Sequence, residues 1–266
     1  MSLTAKNLKI VESFNYLKTQ INSLLDNNLK GKTHLQNYLY FVVAPVFNYT
    51  ESIIILCDQG KFNAASVLLR SLIEAHINII YYQINDTEKK LSMAVKKQFD
   101  WRKKSVNLFI NLIKKYPNLE SPKENSSYNI KNLEKKFKKI DEARNDIISI
   151  NKLKEGDKDL NLYDKAISCD NAKIEKAEPG HFELIHRLFY NILSTYVHLD
   201  IPGLESFVGK NDDGKYFFKD ETANEDLLIS QSIDICIALI KDLYENKVIM
   251  GDPPESLNII EKLLNK

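Results

Sequence analysis

Arginine is scarce in this chain: of 37 Lys and Arg residues only four are Arg, namely Arg70, Arg102, Arg144 and Arg187. A chain that takes nearly all its positive charge from Lys places Arg where a planar, two-pronged donor is needed. Arg70 lies inside the most apolar stretch (AASVLLRSLIEAHINIIYY), with Glu74 four residues on and His76 six residues on. A guanidinium can stabilise a developing oxyanion or a phosphate, and a carboxylate and an imidazole can move its proton. A buried charge without a partner is costly, so Arg70 is expected to pair with Glu74 and with a group across the core. Tyr190, Ser194 and His198 recur every four residues as a polar stripe on an otherwise apolar segment. Asp200-Ile201-Pro202-Gly203 then ends that segment, leaving His198 at a helix C-terminus, where the dipole favours imidazolium. Arg70, Glu74, His76, Ser194 and His198 therefore form the candidate catalytic set. The structural alternative for the same residues is a polar knot that ties two core helices together.

A second chemistry resides in the middle of the chain. Residues 85–139 carry 15 basic against 6 acidic residues, and residues 199–266 carry 7 against 14. Lys96, Lys97, Arg102, Lys103 and Lys104, with Trp101, Phe109 and Tyr116 interleaved, are candidate nucleic-acid contacts, since cations supply sequence-independent affinity for phosphates. The plain alternative is a solvated helix face in a Lys-rich protein. The net charge of +1 excludes a chain that seeks polyanions with its whole surface.

Several familiar chemistries are excluded. Gly31-Lys32-Thr33 imitates the end of a phosphate-binding loop, but Asp26 stands where the first glycine belongs and no strand precedes it. His181 and His186, five residues apart, are turned about 140° from each other on a helix, poor geometry for one metal. Asp212 and Asp213 lack the other ligands of a calcium loop. No metal site and no cofactor is expected. Cys57, Cys169 and Cys236 form no CxxC pair and are odd in number, which fits a reducing compartment. The N-terminal residues lack a signal-peptide core, and the apolar stretch 39–57 is interrupted by Asn48, Thr50, Glu51 and Ser52. It is read as a buried helix, and the protein as cytoplasmic, without a membrane partner.

The elements that must position these residues are helices. Eight Gly and seven Pro in 266 residues are too few for a turn-rich sheet fold. Apolar residues at three- and four-residue steps predict helices near 10–25, 33–57, 61–84 and 87–116, then 128–150, 162–168, 180–198 and 222–247, with a short terminal one after Asp252-Pro253-Pro254. Pro45 is expected to kink the second. Ser206-Phe207-Val208 and Tyr216-Phe217-Phe218 flank Asn211-Asp212-Asp213-Gly214, the signature of one β-hairpin near residues 205–219. The expected architecture is all-α, a multi-helix bundle forming a single helical domain over 1–266, with its core about residues 33–250.

Arg70-Ser71-Leu72-Ile73-Glu74 in an apolar early helix, and Leu193-Ser194-Thr195-Tyr196-Val197-His198 in a late helix before a hairpin, resemble an uncharacterised bacterial all-helical family. That family is a domain of unknown function often met near mobile or phage-defence genes; the resemblance spans residues 35–220. More distantly it is similar to the HEPN superfamily, many of whose members are metal-independent ribonucleases acting as dimers through an R-x(4–6)-H motif. Arg70 to His76 has that spacing. The resemblance implies a HEPN-like bundle, a homodimer, and a defence or toxin protein that cleaves RNA. Arg70 would steady the phosphate, His198 or His76 would act as acid and base, and Glu74 and Ser194 would position them. A partner protein from the same defence locus is the other implied contact. The alternative is a non-catalytic helical interaction module whose Arg/Glu/Ser/His cluster is structural or binds a small ligand; a hydrolase of a nucleotide-derived small molecule stands third.

Overall fold

The computed structural model describes residues 3–25, 33–124, 126–172, 180–190, 208–210, 216–218 and 225–265. These residues are overwhelmingly helical, as the shortage of Gly and Pro requires: α1 (Ala5–Leu25), α2 (His34–Asp58), α3 (Phe62–Gln83), α4 (Thr87–Lys115), α5 (Ile130–Ile150) and α6 (Leu162–Asn171). One turn of α7 (His181–Leu184) continues as a π-helical turn, Ile185–Tyr190. Two three-residue strands, β1 (Val208–Lys210) and β2 (Tyr216–Phe218), pair antiparallel with Val208 opposite Phe218. Helices α8 (Glu225–Glu245) and α9 (Glu255–Leu264) complete the order.

The helices group into two compact units, one formed by residues 1–84 with 161–266 and the other by residues 85–160. In the first, α2 packs against α3 and α8, and α6 packs on α3. Apolar residues at helical spacing explain each contact: Ile10, Phe14, Leu17 and Ile21 are the inward stripe of α1, and Phe14 meets Phe47 edge to face at 6.1 Å. Helix α2 begins at a capping box in which the Thr33 hydroxyl accepts from the Gln36 backbone and the Gln36 side chain accepts from the Thr33 N–H. It runs through Pro45 and is long and apolar enough to cross a membrane by length and composition. In this fold its Leu39, Val43, Val46, Phe47, Ile53 and Ile54 are buried.

The second unit is a pair of long helices, α4 and α5, closed on a small core of Ile110, Ile113 and Leu133 with Val106, Phe109 and Ile130 around it. Both helices bury only one narrow stripe, so most of their surface is polar. The chain after α5 is fastened to the pair by two cations. Arg144, whose side chain is 11% exposed, pairs through Nε with Asp100 and through Nη2 with Glu155. Lys96, 4% exposed, donates from Nζ to the carbonyls of Glu155 (2.7 Å) and Asp157 (3.0 Å).

Candidate functional site

Arg70 emerges from α3 between the buried Leu69 and Leu72 and is itself half-buried. Its Nη2 donates to the Tyr190 hydroxyl at 2.7 Å, and the guanidinium carbon lies 4.5 Å from the Tyr190 ring centre. The column continues: Tyr190 stacks on His186 (5.0 Å, 18°), His186 meets Tyr163 (5.3 Å), and Tyr163 faces the Arg187 guanidinium (5.2 Å). Arg187 also pairs with Glu183, four residues before it, at 2.8 Å. Planar cations on aromatic faces are held by quadrupole attraction and dispersion together. The Nε of Arg70 and the Nδ1 of His186 are buried and make no hydrogen bond among the described residues. Burial pushes the His186 pKa down, and nearby Arg187 pushes it the same way.

The expected Arg70–Glu74 pair does not form. Glu74 is exposed, and no ion pair joins it to Arg70 among the described residues. An intrahelical pair offers only about 0.5 kcal/mol, whereas the ring and hydroxyl of Tyr190 take the guanidinium at the core and leave the Glu74 carboxylate its water. His76 joins a different neighbourhood, with its ring 5.7 Å from that of Phe182. Burial, and after it the nearby His181, hold its pKa down to about 4, so His76 is neutral at pH 7. Ser194 and His198 lie outside the described residues.

His76 opens onto a cleft of about 490 Å³ within the first unit, bordered by α3, α7, α8 and α9. Ile80, Ile84, Phe182 and Ile237 form its apolar wall. Asp234, Asp242, Glu245 and Glu261 bring four carboxylates to it against one ammonium, Lys241, which is paired with Glu261. Burial, and then Glu261, raise the pKa of Asp234. These residues were not singled out from the sequence. The acidic excess of residues 199–266 was the only trace of them, since carboxylates at 234, 242, 245 and 261 converge only through the packing of two helices.

The five basic candidates of the second unit separate by direction. Lys96 is turned inward onto loop carbonyls and Lys103 pairs with Asp141 beside the Phe137 ring, so both serve the helix pair rather than solvent. A long aliphatic stem lets a lysine fold back in this way. Lys97 is exposed and touches Asp159 at 3.4 Å. Arg102 and Lys104 are exposed and make no ion pair among the described residues. Between them stands Trp101, 68% exposed, with Leu108 and Leu112 exposed further along α4.

A model of a family of unknown function, DUF5677, matches residues 36–216. The chain belongs to the DUF5677 family. No curated protein and no solved structure matches it. The DUF5677 match runs from the first turn of α2 to the first residue of β2, and includes Arg70, His76, the aromatic column and the whole second unit. Helices α8 and α9, which supply every carboxylate of the cleft, follow it. Among the described residues no group of three or more His, Cys, Asp or Glu is placed to hold a metal ion. One further cation of this DUF5677 chain escaped the sequence reading: Lys165 of α6, buried, donates to the Asn78 Oδ1 and the Tyr82 hydroxyl, both at 2.8 Å, and sits over the Tyr82 ring.

Proposed function

We propose that this DUF5677 protein binds single-stranded RNA along the outer face of α4. The observation that carries the reading is Trp101, an exposed indole with Lys97 one turn before it, Lys104 one turn after it, and Arg102 beside it. A large aromatic left in water beside Arg102 and Lys104, which make no ion pair among the described residues, has the composition of a stacking platform: a base on an exposed ring gains about 1–3 kcal/mol, and the cations hold the flanking phosphates. A HEPN-like dimer, a place in a phage-defence or toxin system, a partner protein from that system and a cytoplasmic setting belong to the same proposal.

Trp101 is the chain's single tryptophan, so its fluorescence reports this face alone. Titration with single-stranded RNA is expected to quench it, with log K falling against log salt at a slope of roughly −2 for three neutralised phosphates. Duplex RNA, whose bases cannot stack on the ring, is expected to bind more weakly. The double variant Arg102→Glu/Lys104→Glu keeps the fluorophore and is expected to weaken binding roughly tenfold or more. An unchanged spectrum, or a response to phosphatidylserine vesicles with none to RNA, would sink the reading.

A second reading, cleavage of that RNA, is favoured by the buried Arg70 Nε, a donor that is unused among the described residues. The 2′-hydroxyl would attack phosphorus and give its proton to an imidazole. The 5′-oxygen would leave with a proton from another acid, forming a 2′,3′-cyclic phosphate. His76, neutral at pH 7, suits only the base role, which leaves the acid role to His198. Cyclic-phosphate ends that form in excess chelator and disappear in Arg70→Ala are the expected products. RNA recovered intact leaves binding without cleavage.

A further inference from the structure

Trp101 stands at one end of a longer stripe on the outer face of α4. We infer that the whole stripe is a single track for one strand, so that the protein selects single-stranded RNA by length, an inference that rests on RNA being the ligand of this face. At 3.6 residues per turn, Leu108 and Leu112 lie within about 20° of the line along the helix through Trp101. Tyr116, which ends the helix, follows about 22 Å beyond Trp101 at 1.5 Å per residue. All four side chains are exposed, and so is Tyr128, whose ring packs on Phe109 at 5.4 Å. A strand that kept duplex stacking would rise about 3.4 Å per nucleotide and need about seven to cover that span. A strand opened to lay its bases on rings needs fewer, and about four is the lower bound of single-strand sites.

Charge runs beside the apolar line. Residues 101–116 include five basic residues and no acidic one. Lys104 and Lys115 fall about 60° and 40° to the same side of the line, and neither makes an ion pair among the described residues. At the far end the Lys115 Nζ lies 5.3 Å from the Tyr116 ring centre, so a ring and a cation stand together there as they do at Trp101. A single strand carries phosphates along one edge and bases along the other, and a row of cations beside a row of rings and leucines matches both. One rigid helix fixes the distance between the two ends. A strand too short to bridge them gains from one end only, whereas a longer strand adds the second contact without a second loss of freedom.

Trp101 fluorescence of the full chain, titrated with oligouridylates of three, eight and sixteen nucleotides, tests the track. The octamer is expected to bind about tenfold or more tightly than the trimer, and the hexadecamer only severalfold more tightly than the octamer. Tyr116→Ala is expected to weaken the octamer about fivefold or more and to leave the trimer at Trp101 unchanged, while Tyr116→Phe, which keeps the ring, leaves both unchanged. Lys115→Gln is expected to reduce the salt slope of the octamer by about 0.7 and not that of the trimer. Equal affinity of trimer and octamer, or an octamer indifferent to Tyr116→Ala, overturns the track while leaving RNA on Trp101. Lys115→Gln alters an exposed side chain outside the core of the helix pair, and an octamer slope that it leaves unaltered overturns the track as well. Quenching by no RNA, or by phosphatidylserine vesicles alone, overturns the RNA reading and the track together.

Discussion

The outer face of α4 and the cleft beside α8 carry opposite fields, and a net charge of +1 conceals both. The unit of residues 85–160 has 19 basic against 12 acidic residues, and its solvent face presents Trp101 among Lys97, Arg102 and Lys104. The cleft presents four carboxylates and one committed lysine over an apolar wall. The contrast extends to the cations. Where a positive charge is buried in this protein it is anchored, as Lys96 is on carbonyls and Lys165 on an amide and a phenol. Positive charge in solvent carries information only where no carboxylate answers it, and among the described residues that condition reduces the five candidate lysines and arginines to two, Arg102 and Lys104.

The largest expected effect separates the two regions by pH. His76 borders the cleft with a pKa of about 4, against 6.5 for a free histidine. Between those values the unfolded chain holds more protons than the folded one, so stability rises with pH, is complete above about 6.5, and is lost as the pH falls toward 4. Two and a half pKa units correspond to at most about 3 kcal/mol. His186, lowered by its own burial, adds in the same direction, while Asp234, raised, opposes it near pH 4. His76→Leu is expected to flatten most of the slope of urea midpoints measured at pH 4.5, 5.5 and 7. A slope that survives the substitution would place the pH sensitivity elsewhere than in this cleft.

Helix positions were legible because periodicity is a local property. The predicted segments 61–84 and 87–116 correspond to Phe62–Gln83 and Thr87–Lys115 within a residue at each end, and the predicted 222–247 to Glu225–Glu245, its residues 222–224 lying outside the described ones. The rarity of arginine was also a sound guide, since Arg70, Arg144 and Arg187 each use the planar fork or face of the guanidinium. What the sequence concealed was the choice of partner. Glu74 is four residues from Arg70 and Tyr190 is 120, yet the distant group takes the guanidinium, and only tertiary packing decides such a contest. Lys96 and Lys97 are neighbours in sequence with different fates, because Lys96 is buried on the carbonyls of Glu155 and Asp157 while Lys97 stays exposed beside the Asp159 carboxylate. The cleft failed to register for the same reason, its carboxylates being spread over two helices that resemble ordinary solvated surface.

The smaller effect lies in the basic unit and tests whether its platform depends on its own fastening. Arg144 is the buried half of a three-residue cluster whose carboxylates are open to solvent, Asp100 at 46% and Glu155 at 75% exposure. The hydrogen bonds that Arg144 donates to Glu155 and Asp100 hold its proton more firmly than in a free arginine and keep the Glu155 carboxyl below its usual range. A depressed carboxylate stabilises above its unfolded pKa and ceases to do so as the pH drops through the folded one, so the fastening weakens only in acid. Truncation of Arg144 leaves carboxylates that water can rescue, and Arg144→Ala is therefore expected to cost about 1–2 kcal/mol, less than for a fully enclosed pair. Lysine at this position can answer one carboxylate but not both, and should recover about half of that loss. Hydrogen exchange reads the outcome: amides of residues 151–160 and of α4 near Asp100 should lose protection, while those of α3 and α8 keep theirs. Equal loss in both units would mean that the two regions do not open independently, and the contrast between them would then be one of charge alone.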